Sequence, residues 1–110
     1  MDCLFCKIAA GEIPSKKLYE DNQVLAFYDI DPKAPVHFLV IPKQHLSGCG
    51  DVSAENSAVI AHIFEIIAKL TAENGVESYR VITNKGTDAG QTVHHLHFHV
   101  LGGRTLGEMG

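Results

Sequence analysis

Tryptophan is absent from this 110-residue chain, and cysteine occurs only three times. Three is an odd number, and the N-terminus, Met1-Asp2-Cys3, shows no basic stretch leading into an apolar run of about 7–15 residues. A disulfide framework is therefore not expected, and free thiols or metal ligation are the expected uses of cysteine. Long hydrophobic runs are missing too, since no segment approaches the ~18 consecutive apolar residues of a membrane span. Basic charge is scarce: nine Lys and Arg stand against thirteen Asp and Glu, for a net charge of −4, with no basic run. Non-specific nucleic-acid binding draws on clustered Lys and Arg, so it is not expected. These absences point to a cytoplasmic protein with no nucleic-acid and no membrane partner.

What is present suits one folded domain spanning residues 1–110. Hydrophobic residues make up 45% and charged residues 20%, which argues against intrinsic disorder. A chain of this mass buries about two-thirds of its extended surface on folding, enough for a core. The stretch from Cys3 to Gly11 reads as a short helical turn stopped by Gly11 and Pro14. Lys17–Glu20 and Val24–Tyr28 read as a hairpin around Asp21-Asn22. The β-branched run Val36–Ile41, halted by Pro42, reads as a buried strand. Ser53 is placed to cap a long helix ending near Gly75, with Val59, Ile60, Ile63, Phe64, Ile66, Ile67 and Leu70 at helical spacing. So wide an apolar face calls for more than one covering surface, a hint of a dimer. Ser78–Thr83 and Val93–Leu101 complete the strands, separated by the loop Asn84–Thr92, and Gly102-Gly103 ends the last one. Strands joined by short links around one long helix predict an α+β fold with an antiparallel sheet.

Four of the seven histidines fall within six residues, His94-His95-Leu96-His97-Phe98-His99. On a strand, alternation sends His95, His97 and His99 to one face, roughly 6.7 Å apart, and Leu96, Phe98 and Val100 into the core. Three imidazoles in a row are costly to bury unless each is bonded or ligated. A solvated strand face is the plain reading. Two others compete with it: ligands of a catalytic zinc, or a nucleophilic imidazole oriented by its neighbours. The preceding loop, with Gly86, Gly90, Asn84, Thr87, Gln91 and Thr92, offers neutral donors to a phosphate and favours the nucleophile.

The run His95-Leu-His-Phe-His-Val-Leu101 resembles the signature of the histidine triad (HIT) family of nucleotide hydrolases and transferases. IPSKKLYED, AFYDIDPKAP, HFLVIPKQH and GQTVHHLHFHVLGGR extend the likeness over nearly the whole chain, toward the Hint, nucleoside phosphoramidase-like branch. The resemblance implies a five-stranded antiparallel sheet with one long helix and a short N-terminal one, continued across a homodimer. It implies a purine nucleoside phosphoramidate hydrolase acting at the α-phosphate through a nucleotidyl-histidine on His97. It gives His99 a phosphate contact and a share in proton transfer, and Thr92 a part in assisting the leaving group. Asn84 and Gln91 match polar positions near the phosphates, and Asp29 matches the carboxylate that holds the ribose hydroxyls. Phe5, Ile8, Ile13, Phe27 and Ile30 match the wall around the purine, although each reads as core on its own. Cleavage of dinucleoside polyphosphates, nucleotidyl transfer, or a non-catalytic AMP- or GMP-binding sensor are the alternatives. Only Arg104–Gly110 follows the Gly pair, and that short tail bears on the choice of leaving group.

Cys3-x-x-Cys6 has chelating spacing, and His45 and His95 would complete a tetrahedral Cys₂His₂ zinc site, an arrangement bacterial-type HIT proteins resemble. A closed four-ligand site is structural, so no catalytic cofactor is expected. Free thiols or a redox pair are the competing uses of the cysteines. Cys49 reads as a bystander, His37 and His62 as satisfied or solvent-facing, and His94 has no assigned role.

Overall fold

Asp21 shapes the first hairpin: its Oδ1 accepts the N–H groups of Gln23 and Val24 at 2.8 and 2.9 Å, an Asx turn between two strands. In the computed structural model, which describes residues 3–109, these strands are β1 (Lys17–Glu20) and β2 (Val24–Tyr28). With β3 (Val36–Pro42), β4 (Tyr79–Ile82) and β5 (Phe98–Gly102) they form a five-stranded sheet of order β1-β2-β3-β5-β4, antiparallel at every pair. The helices are α1 (Leu4–Ala9) and α2 (Ser57–Glu73). The α+β architecture expected from the pattern is the one observed.

β2 and β3 are buried on both faces, which is why their sequences are largely apolar without alternation. On one face Val24, Ala26, Phe38, Val40, Leu96, Phe98 and Val100 pack with Ile63, Ile66, Ile67 and Leu70 of α2. On the other, Leu25, Phe27, Leu39 and Ile41 pack with Cys3, Phe5 and Ile8 around α1. A helix of six residues is too short to hold itself, so α1 depends on this packing and on its cap, where Cys3 Sγ accepts the N–H of Cys6 at 3.3 Å.

Most boundaries lie within one or two residues of the sequence reading, and two differ by more. The long helix starts at Ser57 with Asn56 as its cap residue, not at Ser53. Asn56 instead ties down the preceding turn, accepting from the Ser53 N–H at 2.8 Å and donating to the Asp51 carbonyl at 2.9 Å, while the Ser53 hydroxyl accepts from Glu55 N–H at 3.3 Å. The last strand begins at Phe98, not Val93, because its neighbour β3 pairs only as far as Val40↔Phe98. Upstream of that pair the chain leaves the ladder, and Leu96 N–H bonds the Leu46 carbonyl at 2.6 Å. Alternation nevertheless survives: Leu96, Phe98 and Val100 enter the α2-side core. The histidines between them stay on the α1 side, where the rings of His95 and His97 meet Phe5 edge to face at 6.1 and 5.0 Å.

Candidate active site

His97 is buried, 6% exposed, and its Nδ1 lies 2.6 Å from the carbonyl oxygen of His95. A carbonyl can only accept, so the proton sits on Nδ1 and Nε2 keeps a bare lone pair. Burial holds the imidazole below its ordinary pKa, so the neutral, nucleophilic form persists at neutral pH.

His99 is set by a longer chain of bonds. The backbone N–H of Lys33 donates to Nδ1 of His37 at 3.0 Å, which places the His37 proton on Nε2. That Nε2 lies 3.0 Å from Nδ1 of His99 and 3.4 Å from Oδ2 of Asp29. His99 therefore accepts at Nδ1 and carries its own proton on Nε2, as a donor. Burial, with the neighbouring His97 and His37, pushes the His99 pKa down to about 4. The two adjacent imidazoles, centroids 5.0 Å apart, thus present opposite functions: a lone pair on His97 and an N–H on His99.

Both line a cavity of about 470 Å³. Phe5, Ile8, Phe27, Leu39, Leu4 and Tyr28 form its apolar side, with Asp29, Asn84, Gly90 and Thr92 supplying polar groups. Ile30 is fully exposed and stands at the cavity's edge. Ile13 packs behind it with the α1-side core, off the cavity wall. Gln91 is also off the wall: Oε1 accepts from Gly86 N–H at 2.8 Å, and Nε2 donates to the carbonyls of Ser47 and Val93 at 2.7 and 3.1 Å. Its amide braces the loop against the segment after β3. The loop's own amides at Ala89, Gly90 and Gln91 are spent within it, on Gly86 and Thr87 carbonyls. Gly90, at φ 97°, needs a glycine to make this turn.

Beside this cavity, Cys3, Cys6, His45 and His95 bring four donor atoms within 4.8 Å of one another, close enough to hold a metal ion. His95 Nδ1 is 3.2 Å from Cys3 Sγ, 3.5 Å from Cys6 Sγ and 3.2 Å from His45 Nδ1, and Cys6 Sγ is 3.3 Å from His45 Nδ1. In a tetrahedron built on ordinary Zn–S and Zn–N lengths, sulfur and nitrogen stand about 3.5 Å apart and two nitrogens about 3.3 Å. The tautomer fits as well: His95 Nε2 donates to the Pro42 carbonyl at 2.8 Å, leaving Nδ1 bare. Without a metal, burial and the adjacent Cys3 sulfur push the Cys6 thiol up to about 11, so a bound cation would have to displace its proton.

Asp29, His37 and His99 also converge closely enough to suggest a metal. Here the tautomer is wrong for one, because the Lys33 N–H occupies His37 Nδ1 and the proton lies on the atom facing the cluster. Within the set, His37 and His99 are hydrogen-bonded to each other, with the Asp29 carboxylate 3.4 Å from His37 Nε2. His37 is the residue of this cluster that sequence reasoning passed over. Its signal was present in register, since it shares the α1-side face of β3 with Leu39 and Ile41, the same face as His99.

The HIT domain family model matches residues 10–106. The chain is 42% identical over 110 residues to the purine nucleoside phosphoramidase of Escherichia coli, covering 98% of this chain and 92% of that one. Its structure superposes on a histidine triad protein from Clostridium difficile with a TM-score of 0.95 and 48% identity, covering 100% and 97% of the two chains. It also matches a HIT family hydrolase from Clostridium thermocellum with a TM-score of 0.94 and 44% identity, covering 98% and 96%.

Proposed function

The chain belongs to the HIT family, and on that footing we propose that it is a nucleotide hydrolase that cleaves purine nucleoside phosphoramidates at the α-phosphorus. The observation that carries this reading is the bare Nε2 of His97 inside a cavity sized for a nucleotide. The 42% identity to a purine nucleoside phosphoramidase supports the substrate class.

In this reading the purine lies among Phe5, Ile8, Phe27 and Ile30, with Ile13 backing that wall, and Asp29 accepts from the ribose hydroxyls. Asn84 and the Gly90–Thr92 segment, braced by Gln91, flank the phosphate. His97 Nε2 attacks phosphorus, a P–N bond to His97 forms, and the P–N bond to the leaving amine breaks. The amine takes a proton as it departs, with Thr92 and the His99 Nε2–H as donors on hand. The His99 N–H also meets the charge on the phosphoryl oxygens. Water then cleaves the nucleotidyl-histidine, releasing the mononucleotide and returning His97 to its neutral form.

Zinc is the metal best matched to two thiols and two imidazoles, and Cys3, Cys6, His45 and His95 would hold it as a structural ion. Its four protein ligands leave no open position, so the chemistry needs no catalytic cofactor. Such thiols suit the reducing cytoplasm. A homodimer extends the sheet at the unpaired edge of β4, where Tyr79 is 39% exposed, and covers Phe64 of α2, 47% exposed.

Release of AMP from an adenosine phosphoramidate tests the reading. Wild type should turn over, while His97→Ala should bind AMP without turnover. If neither protein cleaves the substrate and both bind AMP, the pocket stands and the phosphoramidase reading fails.

A further inference from the structure

The proposed nucleophile sits just outside the regular sheet. β4 ends at Ile82 and β5 begins at Phe98, and the ladder between them stops at the pair Ile82↔His99. Past that pair one chain runs on through Thr83 to Asn84, and the other leads back to His97. Asn84 and His97 both line the cavity of about 470 Å³. One side-chain bond joins the two chains here: the Thr83 hydroxyl donates to the His97 carbonyl oxygen at 2.8 Å. Thr83 itself is half-buried and does not line the cavity.

A residue outside the ladder must be held by individual bonds. Leu96 N–H donates to the Leu46 carbonyl at 2.6 Å, and the His97 ring donates through Nδ1 to the His95 carbonyl at 2.6 Å. The ring bond orients the imidazole against its own segment, because His95 and His97 are two residues apart. It does not fix that segment against the loop at Asn84, the side on which the phosphate lies in the reading above. The bond from Thr83 does, since it runs from the residue beside Asn84 to the backbone of His97. Thr83 suits the task as a β-branched residue, with few side-chain rotamers to lose when its hydroxyl is aimed. Placement matters at this spot because attack on phosphorus is roughly in line from about 3–3.5 Å, and a misplacement of about 1 Å costs about 10²-fold.

Resting on the phosphoramidate reading above, we propose that Thr83 is a positioning residue of the hydrolase, whose hydroxyl holds the backbone of His97 in register with the Asn84 side of the cavity. It touches neither the substrate nor the imidazole, and it moves no proton. Its effect is on the approach of His97 Nε2 to phosphorus, and so on kcat. The purine and ribose are assigned to groups from other segments, Phe5, Phe27 and Asp29 among them, so affinity for the mononucleotide is set elsewhere.

The test pairs Thr83→Val, which keeps the branched shape and loses the hydroxyl, with Thr83→Ser, which keeps the hydroxyl and loses the methyl. Each is compared with wild type for kcat and KM on an adenosine phosphoramidate and for AMP binding by calorimetry. Thr83→Val should lose about tenfold in kcat, the rate equivalent of one hydrogen bond, with KM and AMP affinity within about twofold of wild type. Thr83→Ser should keep most of the rate. Full kcat in Thr83→Val overturns the proposal, and so do equal losses in the two variants, which would make packing of the methyl group the cause. An AMP affinity that falls as far as kcat overturns it too, because the whole cavity and not the placement of His97 would then have changed. Wild type without phosphoramidase activity is a different failure, that of the underlying reading, and the positioning role falls with it. Should Thr83→Val not fold, Thr83→Ala set against Thr83→Ser carries the comparison.

Discussion

The carbonyl of His95 accepts the Nδ1 proton of His97 at 2.6 Å, while the side chain of the same His95 enters the Cys/His cluster through Nδ1 and is anchored to Pro42 through Nε2. One residue therefore serves both the candidate metal centre and the proposed nucleophile. The cluster also caps α1, whose Phe5 and Ile8 line the cavity proposed for the nucleotide.

From this coupling, Cys6→Ser should lower the metal content from about one ion per chain, reduce Tm by at least about 4 °C, and weaken AMP binding. Elemental analysis, thermal unfolding and calorimetry read the three effects. Wild type purified with little metal, together with an unchanged Tm in the variant, would remove the metal centre from the account.

In the proposed mechanism His37 acts mainly through His99, whose Nδ1 lies 3.0 Å from its Nε2. His37→Leu deletes the donor to His99 Nδ1 and releases the His99 tautomer, so kcat should fall roughly 10–10²-fold, within the range ascribed to general acid–base groups. AMP affinity should fall less than kcat, because His37 does not line the 470 Å³ cavity and reaches the group proposed for the ribose only through its 3.4 Å contact with Asp29. His37→Gln keeps a donor amide and should recover part of the rate. Equal losses in both variants would show that His37 serves packing alone.

A second histidine makes stability depend on pH. His62 Nε2 lies 2.6 Å from Asp21 Oδ2, which also accepts from Tyr19 O–H at 2.8 Å, and this ties α2 to the first hairpin. The bond to Asp21 raises the His62 pKa above 6.5, so its contribution is complete below that pH and is lost as pH climbs through the folded value. Burial pulls the Asp21 pKa up, but the bonds from His62, Gln23 and Val24 outweigh it and hold the carboxyl well below 3.8. The Asp21 contribution is complete above 3.8 and disappears as pH falls through the folded value. The pair is therefore at full strength between pH 3.8 and 6.5. Thermal unfolding from pH 5 to 9 should show a smaller alkaline decline in His62→Ala than in wild type (the range is about that of ordinary imidazole titration). Parallel curves would show that the pair adds nothing.

Gly102 ends β5 against the turn that follows α2. A Cβ there would lie 2.7 Å from Val76 Cγ1 and 3.1 Å from the Ser78 carbonyl oxygen. Gly102→Ala should cost about 1–3 kcal/mol, the range for overpacking a tight site, seen as a lower midpoint in urea with little change in slope.

Local pattern alone determined much of this protein. The two-residue period puts Leu96, Phe98 and Val100 in the core and the triad histidines opposite, and it holds even where the strand itself starts later than expected. Residue spacing marked Cys3 and Cys6 as a chelating pair, and the triad signature singled out His97 and His99. Such features depend only on neighbours along the chain.

Tertiary structure decided the chemical state of those groups. Cys3 and His95 are 92 residues apart in sequence, and only the sheet order that sets β5 beside β3 brings them together. The tautomer of His95 follows from the Pro42 carbonyl, 53 residues away in sequence, and that of His99 from His37, 62 residues away, whose own proton is placed by the nearby Lys33 amide. Spacing cannot show which ring nitrogen carries a proton, because that is settled by whichever backbone group the folded chain places against the ring.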